Sequence, residues 1–267
     1  MKAMKRMLTW SLALCLILGL LAGCGQTGTE TPEATETPEP VQEEAEEPAG
    51  AAEAETEEPV QEEQTLTVYV TISDAGVLKV AQEPVAVTDG DGDGALTVHD
   101  ALLAAHDALY QGGAQAGFAT DTGDYGLYIT KLWGTENGGS YGYCLNNAAC
   151  MSLTDPVAQG DYLTAYSYAD LTAWSDMYAY FDVNTAQAAA GEEITLVLSA
   201  SGYDESWNPV ALPVEGAAVT ANGEDTGCVT DGTGSVTLTF AEAGVYVISA
   251  GSETAVLVPP VCVVTVG

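Results

Sequence analysis

Between Thr65 and Ser73, apolar and polar side chains alternate strictly. Leu66, Val68, Val70 and Ile72 fall on one side; Thr67, Tyr69 and Thr71 fall on the other. A period of two predicts a strand with one buried face. Asp74-Ala75-Gly76 reads as a turn and Val77–Val87 as the return strand. The period then changes. Val98, Leu102, Ala105 and Leu109 recur at helical spacing and predict a short helix that buries that stripe. Gly112-Gly113 ends it. His99, Leu103, His106 and Tyr110 line the adjacent stripe. The two histidines stand seven residues apart, about two turns, where a metal pair needs i,i+4. Both therefore read as partly solvated. Strand patterns return in Leu127–Trp133, Ser140–Leu145 and Tyr162–Tyr168. Tyr162, Thr164, Tyr166 and Tyr168 share a face on the last of these.

After Val183-Asn-Thr-Ala-Gln-Ala-Ala-Ala-Gly191 the texture changes again. Short alternating runs follow at Glu193–Ala200, Ala217–Ala221, Gly227–Thr230, Ser235–Phe240, Val245–Ala250 and Val261–Val266. Asn222-Gly223, Asp231-Gly232-Thr233-Gly234 and Glu242-Ala243-Gly244 separate some of them. Regular short strands with such breaks predict an antiparallel sandwich. Pro259-Pro260 should start the last strand late or keep it at an edge. The chain thus divides into residues 1–24, 25–64, 65–182 and 183–267.

The first two segments carry most of the charge information. Residues 1–24 place Lys2, Lys5 and Arg6 before an apolar run from Met7 to Ala22. This is the layout of a secretory signal. It ends in Leu21-Ala22-Gly23-Cys24, which resembles the lipobox of bacterial lipoproteins. That resemblance implies a diacylglycerol on the Cys24 thiol and an extracytoplasmic protein, lipid-anchored to the bacterial cell membrane. Residues 25–64 hold 14 Glu and no base or aromatic residue, so this stretch cannot bury enough apolar surface to offset its chain entropy. It reads as a disordered acidic linker that holds the following domains off the membrane. Across the chain, 39 acidic residues face 5 basic ones, for a net charge of −34. Without cations to release counterions, nucleic acid is excluded as a partner.

The sharpest motif is Asp89-Gly-Asp91-Gly-Asp93-Gly94-Ala95-Leu96-Thr97-Val98-His99-Asp100. It matches the twelve-residue calcium loop of EF-hands. Asp89, Asp91 and Asp93 occupy positions 1, 3 and 5. Gly94 makes the sharp turn, Ala95 offers its carbonyl, Thr97 sits at position 9 and Asp100 at position 12. A hard cation takes six to eight oxygens, and alternate residues of a tight turn aim theirs inward. Asp at position 12 has a shorter arm than the usual Glu, which points to weak binding, about 10⁻⁴–10⁻³ M as in extracellular modules. A strand precedes the loop and a helix follows, so it resembles the loop-helix of dockerins. This implies structural Ca2+. The same residues also fit a Gly-Asp turn with Thr97 and Asp100 as a capping box, and the two readings are compatible.

Two further resemblances concern the domains. Gly142-Tyr143-Cys144-Leu145-Asn146-Asn147, with Gln159-Gly160-Asp161-Tyr162-Leu163-Thr164-Ala165-Tyr166, resembles the transcobalamin-like C-terminal domain family. It implies a β-grasp-like sheet with one helix over residues 65–182, and a soluble ligand such as a corrinoid. Val236-Thr-Leu-Thr-Phe240-Ala-Glu-Ala-Gly244-Val-Tyr246 resembles bacterial immunoglobulin-like domains. The expected fold is mainly β: a β-grasp-like α+β domain with one helix, followed by an immunoglobulin-like β-sandwich.

From Tyr125 to Phe181 lie 12 of the 20 aromatic residues. Trp133, Tyr143, Tyr162 and Tyr166 are the candidate lining of a pocket for a corrinoid or glycan. The alternative is that these rings only pack. Four cysteines follow Cys24, an even set that outside the cell favours disulfides. Three connectivities exist, and the domain boundary favours Cys144–Cys150 and Cys228–Cys262. No Cys-x-x-Cys pair supports zinc. No hydrolase elbow, phosphate loop or dinucleotide glycine pattern occurs, so the chain does not read as an enzyme. Two functions remain: a calcium-stabilised binding module for a small ligand or glycan, or a structural and adhesive display protein in contact with other surface proteins.

Overall fold

The computed structural model describes residues 64–267. Residues 1–63, and with them the expected signal segment, the expected lipid site Cys24 and nearly all of the expected acidic linker, lie outside the described residues. No helix among those described is long and apolar enough to cross a membrane.

The first module opens with the hairpin β1 (Leu66–Asp74) and β2 (Val77–Val87), followed by α1 (Val98–Leu109) and α2 (Gly113–Gly117). Then come β3 (Ala119–Gly123), β4 (Gly126–Lys131), β5 (Tyr141–Leu145), β6 (Ala148–Ala149) and β7 (Tyr162–Ser167). The sheet order is β2-β1-β7-β5-β6, with β3 and β4 forming a separate hairpin. β7 runs parallel to β1 and antiparallel to β5. This is the β-grasp-like arrangement: a hairpin, a helical crossover, and a final strand laid beside the first. Val68, Val70 and Ile72 of β1 are fully buried against Val98, Ala101, Leu102 and Ala105 of α1. The helix starts where expected, since Thr97 caps it and Asp100 completes the capping box.

Two details of the helix differ from expectation. Leu109 is 40% exposed, and His106 is completely buried rather than partly solvated. The chain after α1 folds back over the adjacent stripe. The His106 ring stacks on Phe118 at 4.9 Å and abuts Trp133 at 5.4 Å. Its Nδ1 donates to the Leu102 carbonyl at 2.6 Å, and its Nε2 accepts the Trp133 backbone N–H at 3.1 Å. Helical periodicity reports only the helix, whereas this burial comes from a neighbour 27 residues away.

The second module is built from β8 (Met177–Phe181), β9 (Thr185–Ala188), β10 (Glu193–Tyr203), β11 (Pro209–Pro213) and β12 (Ala218–Ala221). It continues with β13 (Glu224–Val229), β14 (Ser235–Thr239), β15 (Gly244–Gly251), β16 (Leu257–Val258) and β17 (Cys262–Val266). One sheet has the order β11-β10-β8-β16, with β14 also on β10; the other has β13-β12-β15-β17-β9. The pairings β10–β14 and β12–β15–β17 match B–E and C–F–G of the immunoglobulin sandwich. β8 lies beside β10 as strand A, and β9 runs parallel to β17. The core between the sheets includes Phe181, Leu196, Leu198, Val219, Ile248 and Val264.

The Phe240–Tyr246 motif has a physical reason. The two rings stack at 4.1 Å, and the Tyr246 hydroxyl donates to the Glu242 carbonyl at 3.0 Å. This is the tyrosine corner that closes the E–F turn of such sandwiches. β8 and β9 flank residue 183, so the sandwich recruits a strand from before that position. β17 starts after Pro259-Pro260, and both of its sides are paired, so the prolines delay the strand without placing it at an edge.

Candidate calcium loop and the tyrosine face

Residues 89–100 form a compact turn running into α1. One oxygen of Asp89 accepts the Gly92 and Asp93 N–H groups at 2.7 and 3.1 Å; the other accepts Gly94 N–H at 2.8 Å. Asp93 accepts Ala95 N–H at 2.8 Å. Gly92 and Gly94 take positive φ values of 78° and 88°, which lets the chain curl around these carboxylates. One oxygen from each of Asp89, Asp91 and Asp93 falls within a 4.8 Å cluster. A carboxylate oxygen has two lone-pair sites, so an oxygen holding one N–H keeps capacity for a cation.

Asp100 is 1% exposed. One of its oxygens takes Gly90 N–H at 2.9 Å; the other takes the Thr97 N–H at 3.0 Å and hydroxyl at 2.7 Å. Asp100 thus ties the loop to the helix start, and the Thr97 hydroxyl is directed to that cap. The sequence pattern overlooked His99. Its Nδ1 lies 3.1 Å from an Asp91 oxygen, and Asp91, His99 and Asp100 form a second cluster. The signal was present: His99 occupies position 11, immediately before the closing Asp. Ala95 lies within the same turn.

The four aromatic candidates do not meet in one pocket. Tyr143 is directly opposite Ala165, so both lie on the helix side of the sheet, where Tyr143 and Trp133 pack at the edge of the first core. Tyr162 and Tyr166 alternate with Leu163 and Ala165 and point the opposite way. That opposite face meets the second module. Tyr166 is 6% exposed and stacks on Tyr178 of β8 at 6.3 Å, in a cluster with Cys144 and Val258. The Tyr178 hydroxyl donates to the Asn147 side chain at 2.9 Å. Burial pushes both phenols well above their ordinary pKa.

A β-bulge in the first hairpin adds a polar tie between the modules. The register of β1 and β2 slips between Val70 and Ile72, placing Gln82 at φ 49°. Its backbone N–H binds the Thr71 hydroxyl, and its side-chain amide donates to the Val261 carbonyl at 2.9 Å. The remaining Gln82 oxygen has no protein partner. It borders a cavity of about 20 Å³, lined also by Thr71, Tyr162 and Tyr178, which has room for one water. Thr71 is consequently buried, although the strand pattern places it on the face opposite the core.

Gly142 shows why the tyrosine face carries a glycine. It lies directly opposite Tyr166, and a Cβ there would run into the Tyr166 ring. Gly142→Ala should displace that ring and destabilise the fold by about 1–3 kcal/mol, measured by urea unfolding. A cost below a few tenths would mean that the ring has room to move.

All four cysteines among the described residues are free. The expected pairs fail for geometric reasons. Cys144 is opposite Ala149, so Cys150 projects to the other face; Cys144 packs with Tyr166, whereas Cys150 packs against the helix-side core. Cys228 on β13 and Cys262 on β17 lie in one sheet with β12 and β15 between them. Three strand spacings are about 14 Å, twice the Cα reach of a disulfide. Burial, with Cys150 nearby, pushes the Cys144 thiol up to about 12. Burial pushes Cys262 up to about 12 as well, with the Asp182 charge adding to it.

No family model and no curated protein matches the chain. The transcobalamin-like and dockerin-like resemblances therefore rest on their motifs alone. Among solved structures, the chain is similar to the N-terminal four Ig domains of Dscam1 isoform 6.9, at 11% identity and a TM-score of 0.23, over 42% of this chain and 25% of that one. It is also similar to the D0–D1 domain of Intimin, at 15% identity and a TM-score of 0.24, over 73% of this chain and 93% of that one. The chain spans about a quarter of that Dscam1 chain. With TM-scores this low, the immunoglobulin-like assignment rests on strand order and the tyrosine corner.

Proposed function

We propose that this protein is a structural and adhesive display unit of the bacterial surface, held by lipid on Cys24 and stiffened by calcium in the 89–100 loop. The observation that supports this reading is the packed junction. The Tyr166–Tyr178 stack occupies the face that a small-molecule site would need and joins the two modules instead. A surface arm must transmit position from anchor to tip, which favours a buried inter-module contact over a hinge. Calcium serves the same end, because its binding free energy would add to the stability of the loop and the helix it starts. Asp89, Asp91, Asp93 and Asp100 would supply carboxylates and Ala95 its carbonyl, while Thr97, whose hydroxyl donates to Asp100, would hold that last carboxylate in place.

Native mass spectrometry of the purified protein tests this directly. One calcium ion, a diacylglyceryl group on Cys24 and no retained small molecule are expected. A co-purifying corrinoid or sugar would overturn the display reading. Melting should also rise with added calcium and fall with chelator. The double variant Asp89→Ala with Asp93→Ala should lose that calcium response; a response that survives the double change removes calcium from this loop.

A further inference from the structure

One groove on the first module faces away from the junction, and its rings are left open. The hairpin β3–β4 forms one wall. Its tip carries Asp124 and Tyr125, and Tyr128 stands opposite Asp121 on the same face. Tyr143 and Met151 line the other side, around a volume of about 320 Å³. Tyr125 and Met151 are almost fully exposed, at 104% and 92%, and Tyr128 is 43% exposed. These residues spend large apolar surface on solvent, and they do so together, which marks an interaction surface.

The groove is also built. Gly123 permits the Tyr128 ring to lie across the hairpin, since a Cβ there would come within 3.2 Å of that ring. On the far side, Asp155 accepts the Met151 and Ser152 N–H groups at 2.7 and 3.2 Å and so shapes the segment that bears Met151. These two bonds place a carboxylate beside the segment that forms this side of the groove. Asp121 and Asp124 add two more on the hairpin.

Rings, a thioether and carboxylates around one groove specify an occupant with an aliphatic stem and a positive end. We propose that this groove binds a basic side chain on a partner protein, with its stem against Tyr125, Tyr128 and Met151 and its charge toward Asp124. Cation–π attraction from the tyrosines and Coulomb attraction from the aspartates act on the same ammonium. The net charge of −34 selects the same partner at long range by steering basic surfaces and repelling acidic ones. Of the two lysines after Cys24, Lys131 is paired with Glu136 at 3.0 Å, and Lys79 lies on β2, outside the β3–β4 hairpin that forms the groove wall. The inference stands apart from the display reading. Loss of the lipid or the calcium would leave the groove unchanged.

The test is an NMR titration of the full chain with Nα-acetyl-lysine N-methylamide at near-physiological salt, followed at the Met151 methyl and the Tyr125, Tyr128 and Tyr143 rings. Saturable shifts confined to these groups are expected. The norleucine counterpart, with the same stem and no charge, should give none. Tyr125→Ala with Tyr128→Ala changes only exposed rings and should weaken binding about tenfold. Trp207→Ala, at another exposed ring, should leave it unchanged. Shifts spread over the whole acidic surface, an equal response to norleucine, or undiminished binding by the double tyrosine variant would each overturn the proposal.

Discussion

Tyr178→Ala is expected to break the thermal unfolding of this protein into two transitions. In the native chain Tyr178 stacks on Tyr166 and on Tyr180, the latter at 5.9 Å, and its hydroxyl holds Asn147 across the junction. It is 8% exposed and borders the small polar cavity, so truncation would open a void that nothing nearby can fill. Removing a buried aromatic ring costs about 3–5 kcal/mol. Most of that loss should fall on the junction, since Tyr178 belongs to the cluster that spans it and not to either main core. Calorimetry should show one cooperative transition in the parent and two in the variant. Tyr178→Phe keeps the stack and loses only one hydrogen bond, about 1 kcal/mol, and should remain a single transition. A single transition at the parent midpoint in Tyr178→Ala would show that the modules are not coupled through this contact.

The second large effect concerns His106. Both ring nitrogens are used: Nδ1–H donates to Leu102, and Nε2 accepts from Trp133. Protonation would place a second N–H on Nε2 facing the Trp133 N–H, donor against donor. Burial lowers the pKa of this histidine from 6.5, outweighing the Leu102 hydrogen bond and the Asp107 charge, which both raise it. Between that lowered value and 6.5 the unfolded chain holds a proton that the native state does not. The stabilisation from His106 is therefore complete above about pH 6.5 and declines as pH falls below it. Urea midpoints measured from pH 7.5 down to 5.5 should decrease, and His106→Gln should flatten that decline. His106→Ala should cost about 3 kcal/mol or more at neutral pH, through a cavity and an orphaned Trp133 N–H. A parent protein with pH-independent midpoints over that range would refute the buried neutral histidine.

Local pattern made part of this legible. The expected strand Ser140–Leu145 is Tyr141–Leu145, Tyr162–Tyr168 is Tyr162–Ser167, and Glu193–Ala200 is the first part of Glu193–Tyr203. Each alternates strongly, because one face must be dry and the other less so. Six strands were missed, among them the two-residue Ala148–Ala149 and Leu257–Val258 and the aromatic Met177–Phe181. Ala119–Gly123 is mostly polar and exposed. Thr185–Ala188 sits in a stretch of small residues that reads as a linker. Pro209–Pro213 is bounded by prolines and is tolerated as the edge of its sheet. The calcium-type loop was visible because its spacing is local: the residues that converge lie within twelve positions. The aromatic pocket was not, because Trp133, Tyr143, Tyr162 and Tyr166 share a composition but not a face.

The amino-acid order alone determined the strands with clear alternation, the capped helix, the acidic loop and the tyrosine corner. Each depends on residues close in the chain, whose geometry is set by backbone periodicity. Tertiary structure alone decided which side of the first sheet would be covered, that His106 would be sealed, and that Cys228 and Cys262 would stand apart in one sheet. Those outcomes depend on surfaces brought together from distant positions, such as Gln82 and Val261 across 179 residues. A period of two marks two faces of a strand but carries no label for what will cover either one.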